Sequence, residues 1–139
     1  LLCIFSALQL IKILTAESQK NIKIYGLIEN FYILLKKENW IRNYIFWELE
    51  LFKIIGYDLE LKNLVKKELI NNEVKYLVKS TKEKKIVPNF LIDNNQDFLN
   101  EEILIDGLRL VGDYLEKSIL RPNNINYPLS RLRFLNTFK

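Results

Sequence analysis

The first third of the chain has apolar positions at helical spacing. Residues 1–14 are apolar on most sides, which is typical of a largely buried helix. After the polar connection "TAESQKN", a second helix is predicted over residues 22–35. Its apolar positions lie at Ile24, Leu27, Ile28, Phe31, Leu34 and Leu35.

A third helix is predicted over residues 38–55, and the stretch "WELELFKIIGYDLEL" contains its end and a short polar-apolar tail. Its apolar stripe comprises Tyr44, Trp47, Leu51 and either Ile54 or Ile55, and its charged residues Arg42, Glu48, Glu50 and Lys53 lie largely elsewhere. Gly56 stands where a left-handed residue ends a helix, a conformation that glycine adopts without steric cost. We therefore predict that Trp47, Leu51 and Ile55 belong to the core. The alternative is an aromatic docking surface.

The middle of the chain changes from helical spacing to alternation. Val74, Tyr76 and Val78 occupy every second position, "STKEK" resembles a turn, and Ile86 and Val87 return. This pattern predicts a short, lysine-rich β-hairpin over about residues 74–87, which Pro88 ends.

The last third predicts a long helix followed by a short one. Asn100 is the expected N-cap of the long helix, and Glu101 and Glu102 suit its first turn. Its apolar side comprises Ile103, Leu104, Leu108, Val111, Leu115 and Leu120, and Gly107 and Gly112 indicate close packing. The terminal helix, "LSRLRFLNTF", is expected to direct Leu129, Leu132 and Leu135 inward and Arg131 and Arg133 outward.

These elements predict a mainly α fold, a small helical bundle with a short β-hairpin insertion. A chain of 139 residues suits one domain with a single core. Lys12 interrupts the apolar start well short of the roughly 20 residues that a membrane span requires. The single cysteine, Cys3, rules out an intrachain disulfide and weakly favours a reduced, cytoplasmic setting.

The residue types present argue against an enzyme. The chain has no histidine, and its four glycines are too scattered to form a phosphate-binding loop. Two carboxylate pairs, Glu48 with Glu50 and Glu101 with Glu102, lie at spacings that point in different directions on a helix, so they are interpreted as surface charge. No catalytic residue, cofactor or metal site is predicted.

Two basic clusters stand out in a chain of net charge +4. Lys79, Lys82, Lys84 and Lys85 crowd the predicted hairpin turn, and Lys117, Arg121, Arg131 and Arg133 gather near the end of the chain. Each cluster is either a solubilising surface or a contact for phosphate or carboxylate groups. For the second cluster, an acidic peptide and nucleic-acid phosphate are competing ligands.

Three stretches in order, "IRNYIFWELELFKIIGYDLEL", "VKYLVKSTKEKKIV" and "LRLVGDYLEKSILRPNNINYPLSRLRFL", give the chain a family resemblance. Together they resemble the C-terminal helical domain of the bacterial DNA repair protein RecO. In that family a "FEL" or "WEL" element leads to "LGYG-LDL", a hairpin similar to "YVSPKSGRAV" follows, and a late helix ends near "RPLKSRRFL". The likeness covers almost all of residues 1–139.

The resemblance implies a non-catalytic recombination mediator in the bacterial cytoplasm, at the nucleoid. Its expected partners are RecR, the acidic C-terminal tail of single-stranded-DNA-binding protein, and single- and double-stranded DNA. It would help load recombinase and anneal complementary strands without a nucleotide or other cofactor. The absence of a starting methionine and of the family's N-terminal oligonucleotide-binding barrel suggests that the chain is the C-terminal part of a longer protein.

One departure from the family concerns metal. Many members carry two C-x-x-C pairs around the hairpin that resemble a zinc site, and the first would begin where this chain has Leu64 and Lys67. Zinc is therefore not expected here. The alternative to the RecO-like interpretation is an unrelated helical protein-interaction domain whose basic clusters are only surface.

Overall fold

The computed structural model describes residues 2–15, 22–57, 61, 65–78, 86–92 and 100–138. It is mainly helical with a small antiparallel sheet, so the predicted fold class is confirmed. The chain divides into two compact units, one formed by Leu1–Leu59 with Val111–Lys139 and the other by Glu60–Leu110. None of the described helices is long and apolar enough to cross a lipid bilayer.

Helices make up the described part of the first unit. In chain order they are α1 (Leu2–Leu14), α2 (Ile22–Leu34), α3 (Trp40–Ile54), a π-helical stretch (Leu115–Leu120), a 3-10 turn (Arg121–Asn123) and α6 (Leu129–Asn136). Helix α5 spans Glu101–Tyr114, and its last turn, from Val111, also belongs to this unit. Helix α2 packs against α3, and α1 packs against α6.

An aromatic cluster holds the centre of this unit. The Trp47 ring lies 5.2 Å from that of Phe31 and is stacked on Tyr44 at 5.7 Å. Tyr44 in turn meets Phe134 of α6 edge to face at 5.4 Å. All four rings are buried, so residues of α2, α3 and α6 form one core. The prediction that Trp47 and Leu51 are core residues is confirmed, whereas Ile55 is only half-buried.

The ends of the helices follow local sequence rules. Gly56 has φ of +100°, its N–H donates to the Lys53 carbonyl, and the N–H of Tyr57 donates to the Phe52 carbonyl at 2.7 Å. This is the glycine-terminated Schellman arrangement, so the predicted stop at Gly56 is confirmed. Asn100 is likewise the N-cap of α5, because its Oδ1 accepts from the N–H of Ile103 at 2.9 Å.

The second unit contains a three-stranded antiparallel sheet. Its strands are β1 (Val65–Ile70), β2 (Glu73–Val78) and β3 (Ile86–Val87), in the order β1-β2-β3, and a short helix, α4 (Asn89–Ile92), follows. Tyr76 pairs with Val87, which confirms the predicted hairpin between β2 and β3. Strand β1 was not predicted. It joins β2 through Asn71 and Asn72, which both have positive φ.

Two predictions about helix faces are wrong. On α1, Phe5 and Leu8 are exposed, so the helix is buried along one stripe and not on most sides. On α6 the predicted orientation is largely reversed, because Leu129 and Leu132 are exposed and Arg131 is fully buried. A short helix with apolar and basic residues in alternation has two possible inward faces, and the buried partner of Arg131 selects between them.

Candidate functional site

The two predicted basic clusters differ in what the structure describes of them. Lys79, Lys82, Lys84 and Lys85 lie outside the described residues, so the hairpin cluster stays a prediction. In the C-terminal cluster, Lys117, Arg121 and Arg133 are exposed.

The exposed members of the C-terminal cluster lie on two separate parts of the chain. Lys117 and Arg121 are four residues apart where the π-helical stretch passes into the 3-10 turn, and Arg133 is on α6. Arg121 makes an ion pair with Glu116 at 3.2 Å, with both side chains partly in solvent. An exposed pair of this kind contributes at most about 1 kcal/mol, so an anionic ligand can replace Glu116 at low cost.

Arg131 does not belong to this surface. It was predicted to face outward as a contact for an acidic tail or phosphate, but its side chain is 0% exposed. Its Nε donates to Oε2 of Glu48 at 2.8 Å and its Nη2 to Oε1 at 2.7 Å. This two-pronged geometry is the strongest form of an arginine–carboxylate interaction, and it engages the donors that a ligand would need.

Glu48 was interpreted as surface charge and is also 0% exposed. It lies four residues after Tyr44 and four before Phe52, both buried, so it shares the inward face of α3. Burial alone would lower the pKa of Arg131, but the Glu48 carboxylate and its hydrogen bonds raise that pKa above the ordinary arginine value. The Arg131 guanidinium therefore stays charged in the core.

Tyr127 and Gly112 complete the surroundings of Arg131. The third guanidinium nitrogen, Nη1, donates to the Tyr127 hydroxyl at 2.7 Å, and burial raises the pKa of that tyrosine. A Cβ atom at Gly112 would lie 2.5 Å from Nη1 and 3.1 Å from the Tyr127 hydroxyl. The predicted close packing at Gly112 is confirmed: the guanidinium lies against the bare backbone of α5.

Gly112→Ala is expected to lower the free energy of unfolding by about 1–3 kcal/mol, because the Arg131 guanidinium cannot retreat without losing Glu48. Gly26→Ala is the matched control. Gly26 is exposed in the middle of α2, with no atom within 4 Å of an added Cβ, so alanine there should stabilise by up to about 1 kcal/mol. Urea unfolding of both variants measures whether each substitution lowers or raises the free energy of unfolding. A destabilisation of equal size at the two glycines would contradict the assignment.

The remaining buried polar groups near the pair are either hydrogen-bonded or chemically unreactive. The Ser6 hydroxyl hydrogen-bonds that of Tyr44 at 2.9 Å. Burial and the Glu48 carboxylate raise the pKa of Tyr44, and the same two causes raise the pKa of Cys3 to about 12. The Cys3 thiol therefore stays protonated near neutral pH and is a poor nucleophile.

The described residues thus include a buried ionic cluster and three exposed basic side chains, those of Lys117, Arg121 and Arg133. No group of three or more His, Cys, Asp or Glu side chains able to hold a metal ion occurs among them, and every buried side-chain nitrogen or oxygen in the described ranges has a hydrogen-bond partner. Glu48, Arg131 and Tyr127 satisfy one another, so their arrangement is that of a structural cluster. The three exposed cations, in contrast, lie open to solvent.

Comparison with known proteins adds no relative. No protein-family model matches the chain, and neither the curated proteins nor the solved structures contain a match to it.

Proposed function

We propose that the chain is a non-catalytic recombination mediator module similar to the C-terminal domain of RecO. The observation that carries the proposal is the order of the three RecO-like stretches. The first contains nearly all of α3 and the helix stop at Gly56, the second contains most of β2 and all of β3, and the third runs from Leu108 within α5 to Leu135 within α6. The first and third stretches therefore lie mainly on helices, and the second lies on the two strands of the predicted hairpin.

In this proposal the module acts in the bacterial cytoplasm by binding partners. It contacts RecR, the acidic tail of single-stranded-DNA-binding protein, and single- and double-stranded DNA, and it promotes annealing and recombinase loading. No catalytic residue or cofactor takes part. Exposed Lys117, Arg121 and Arg133 are the candidate contacts for a carboxylate or phosphate.

The acidic tail is the ligand that the C-terminal surface fits best. Such a tail combines carboxylates with an apolar end, and it requires forked cations beside apolar side chains. Arg133 has Leu132 as its exposed neighbour on α6, and exposed Leu129 lies one turn away. Leu120 and Phe134, in contrast, are buried and unavailable to a ligand.

A titration of a labelled acidic tail peptide into the purified protein tests this site. Replacing Lys117, Arg121 and Arg133 together by alanine should weaken binding about tenfold or more, since each exposed ion pair contributes up to about 1 kcal/mol. Arg131 is left unchanged because its loss would disturb the core. Arg109→Ala, which removes an exposed arginine outside the cluster, is the control and should bind like the unaltered protein. Unchanged affinity in the triple variant would contradict the site.

A pull-down with RecR and single-stranded-DNA-binding protein tests the function itself. The competing proposal is a helical protein-interaction domain without a nucleic-acid role, which the exposed apolar side chains Phe5, Leu8 and Leu132 favour. Binding of neither protein, together with no salt-dependent binding of single-stranded DNA, would favour that alternative.

A further inference from the structure

Strand β1 forms an edge of the sheet. In the strand order β1-β2-β3 it pairs with β2 on one side, and no strand within the described ranges pairs with its other side. An unpaired strand edge presents backbone N–H and C=O groups to any extended chain that can align with it.

The residues that present these groups follow from the turn. A two-residue turn with positive φ at Asn71 and Asn72 closes on a hydrogen-bonded pair of Ile70 and Glu73. Because hydrogen bonding alternates along an antiparallel strand, Val65, Lys67 and Leu69 direct their N–H and C=O groups away from β2.

A side-chain contact supports this assignment. Asn89 Nδ2 donates to the Val74 carbonyl at 3.0 Å, on the β3 side of β2. Val74 therefore directs its backbone N–H and C=O groups away from β1. Its partner Leu69 likewise directs its own N–H and C=O groups away from β2. Lys67 and Leu69 are exposed whereas Val65 is buried, so the edge offers its backbone groups to solvent at Lys67 and Leu69.

The two faces of the β1–β2 hairpin differ in charge. On one face, Lys66 pairs with Glu68 at 3.0 Å and Lys75 with Glu73 at 3.4 Å, so the charges balance. The other face carries the residues whose backbone groups face the free edge, together with Val74 and Tyr76 from β2. There Leu69 is 75% exposed, and Lys67 has no ion pair with any residue that the structure describes.

A second copy of the chain is the competing occupant of this edge. Of the two longest antiparallel registers of two β1 edges, one sets Glu68 opposite the copy's Glu68. The other sets Lys67 opposite the copy's Lys67, although it also sets Lys66 opposite the copy's Glu68. Like charges directly opposite one another destabilise a strand pair and opposite charges stabilise it. Neither register gives Lys67 an acidic partner, whereas an acidic segment of another protein does.

We propose that the free edge of β1 binds an extended acidic segment of a partner protein by strand addition. The segment runs antiparallel to β1 and places an acidic side chain opposite Lys67 and an apolar one opposite Leu69. Backbone hydrogen bonds supply the binding, and the charge and the apolar contact select the sequence. This binding does not depend on the RecO-like function.

The probe is a capped hexapeptide, Thr-Val-Thr-Glu-Glu-Val, which sets valine opposite Leu69 and glutamate opposite Lys67. Titrated to about 1 mM into ¹⁵N-labelled protein, it should shift the amide resonances of Lys67 and Leu69 and slow their hydrogen exchange. A peptide N-methylated at the pairing amides should not bind. Protein in which these two amides are already protected without peptide would overturn the proposal, because the edge would then be covered.

A charge exchange tests the specificity. Lys67→Glu should weaken binding of the acidic peptide about threefold to tenfold, and a peptide with lysine in place of the opposing glutamate should recover it. Lys53→Glu, which reverses an exposed lysine on α3, is the control and should leave binding unchanged. Equal weakening by both variants would reduce the effect to net charge and overturn the specific pairing. Concentration-dependent protection without peptide would identify a second copy as the occupant instead.

Discussion

Glu48→Ala is expected to lower the free energy of unfolding by about 3–5 kcal/mol. The substitution leaves the Arg131 guanidinium in the core without its counter-charge, and the cost of that isolated charge exceeds the value of the lost hydrogen bonds. Arg131→Ala should cost a similar amount, because it strands the Glu48 carboxylate.

The double variant distinguishes a coupled pair from two independent residues. Removing both charges abolishes the isolated-charge penalty, so the double substitution should cost clearly less than the sum of the two single losses. Urea unfolding followed by circular dichroism measures all three variants.

Each member of the pair has a matched control on its own helix. Glu50 and Arg133 are exposed on α3 and α6, so Glu50→Ala and Arg133→Ala should change stability by no more than about 0.5 kcal/mol. Losses below about 1 kcal/mol for both Glu48→Ala and Arg131→Ala would show that the pair is solvated in solution.

The pair also shows where sequence reasoning was insufficient. Tyr44, Glu48, Leu51 and Phe52 have the spacing of one helical face, so the position of Glu48 was visible in the pattern. Its charge nevertheless favoured the solvent-exposed side of the helix, because a lone glutamate is almost never fully buried. The cost of burying Glu48 is offset only by the opposite charge of Arg131, which is 83 residues away in sequence. A single sequence does not reveal such a pairing.

Local signals were more reliable than distant ones. The helix end at Gly56 and the cap at Asn100 depend on neighbouring residues, and both were predicted correctly. Strand β1 was missed because adjacent lysines, Lys66 and Lys67, obscure its alternation. The Asn71-Asn72 turn was the available signal, since asparagine tolerates positive φ in a two-residue hairpin.

The candidate site likewise contains residues that local sequence predicts correctly and one residue, Arg131, that depends on distant contacts. Exposure of Lys117, Arg121 and Arg133 agrees with the usual behaviour of basic residues, so their exposure was predictable. Arg131 was not, because its environment depends on residues of α3 and α5. For a ligand-binding test, this distinction means that only the exposed cations can be replaced without disturbing the fold.

Trp47→Ala is expected to cost about 3–5 kcal/mol of stability, in line with other large-to-small substitutions of buried aromatic residues. Trp47 is 4% exposed, and its Nε1 donates to the Leu27 carbonyl at 2.8 Å, so it joins α3 to α2 both by apolar contact and by a hydrogen bond. Trp47→Phe should separate the two contributions. It keeps most of the aromatic contact with Phe31 and Tyr44 and loses the hydrogen bond, which is worth about 0.5–1.5 kcal/mol.

The alternative role of Trp47 as a docking residue predicts the opposite result. In that case Trp47→Ala would leave the fold intact and weaken only partner binding. Tyr25→Ala on α2 is the matched control, because Tyr25 is an exposed aromatic residue whose loss should change stability by no more than about 0.5 kcal/mol. Urea unfolding followed by far-UV circular dichroism compares the three variants without relying on tryptophan fluorescence. A loss below about 1 kcal/mol for Trp47→Ala would reject its assignment to the core, since truncation of a buried tryptophan removes contacts that the surrounding side chains only partly replace.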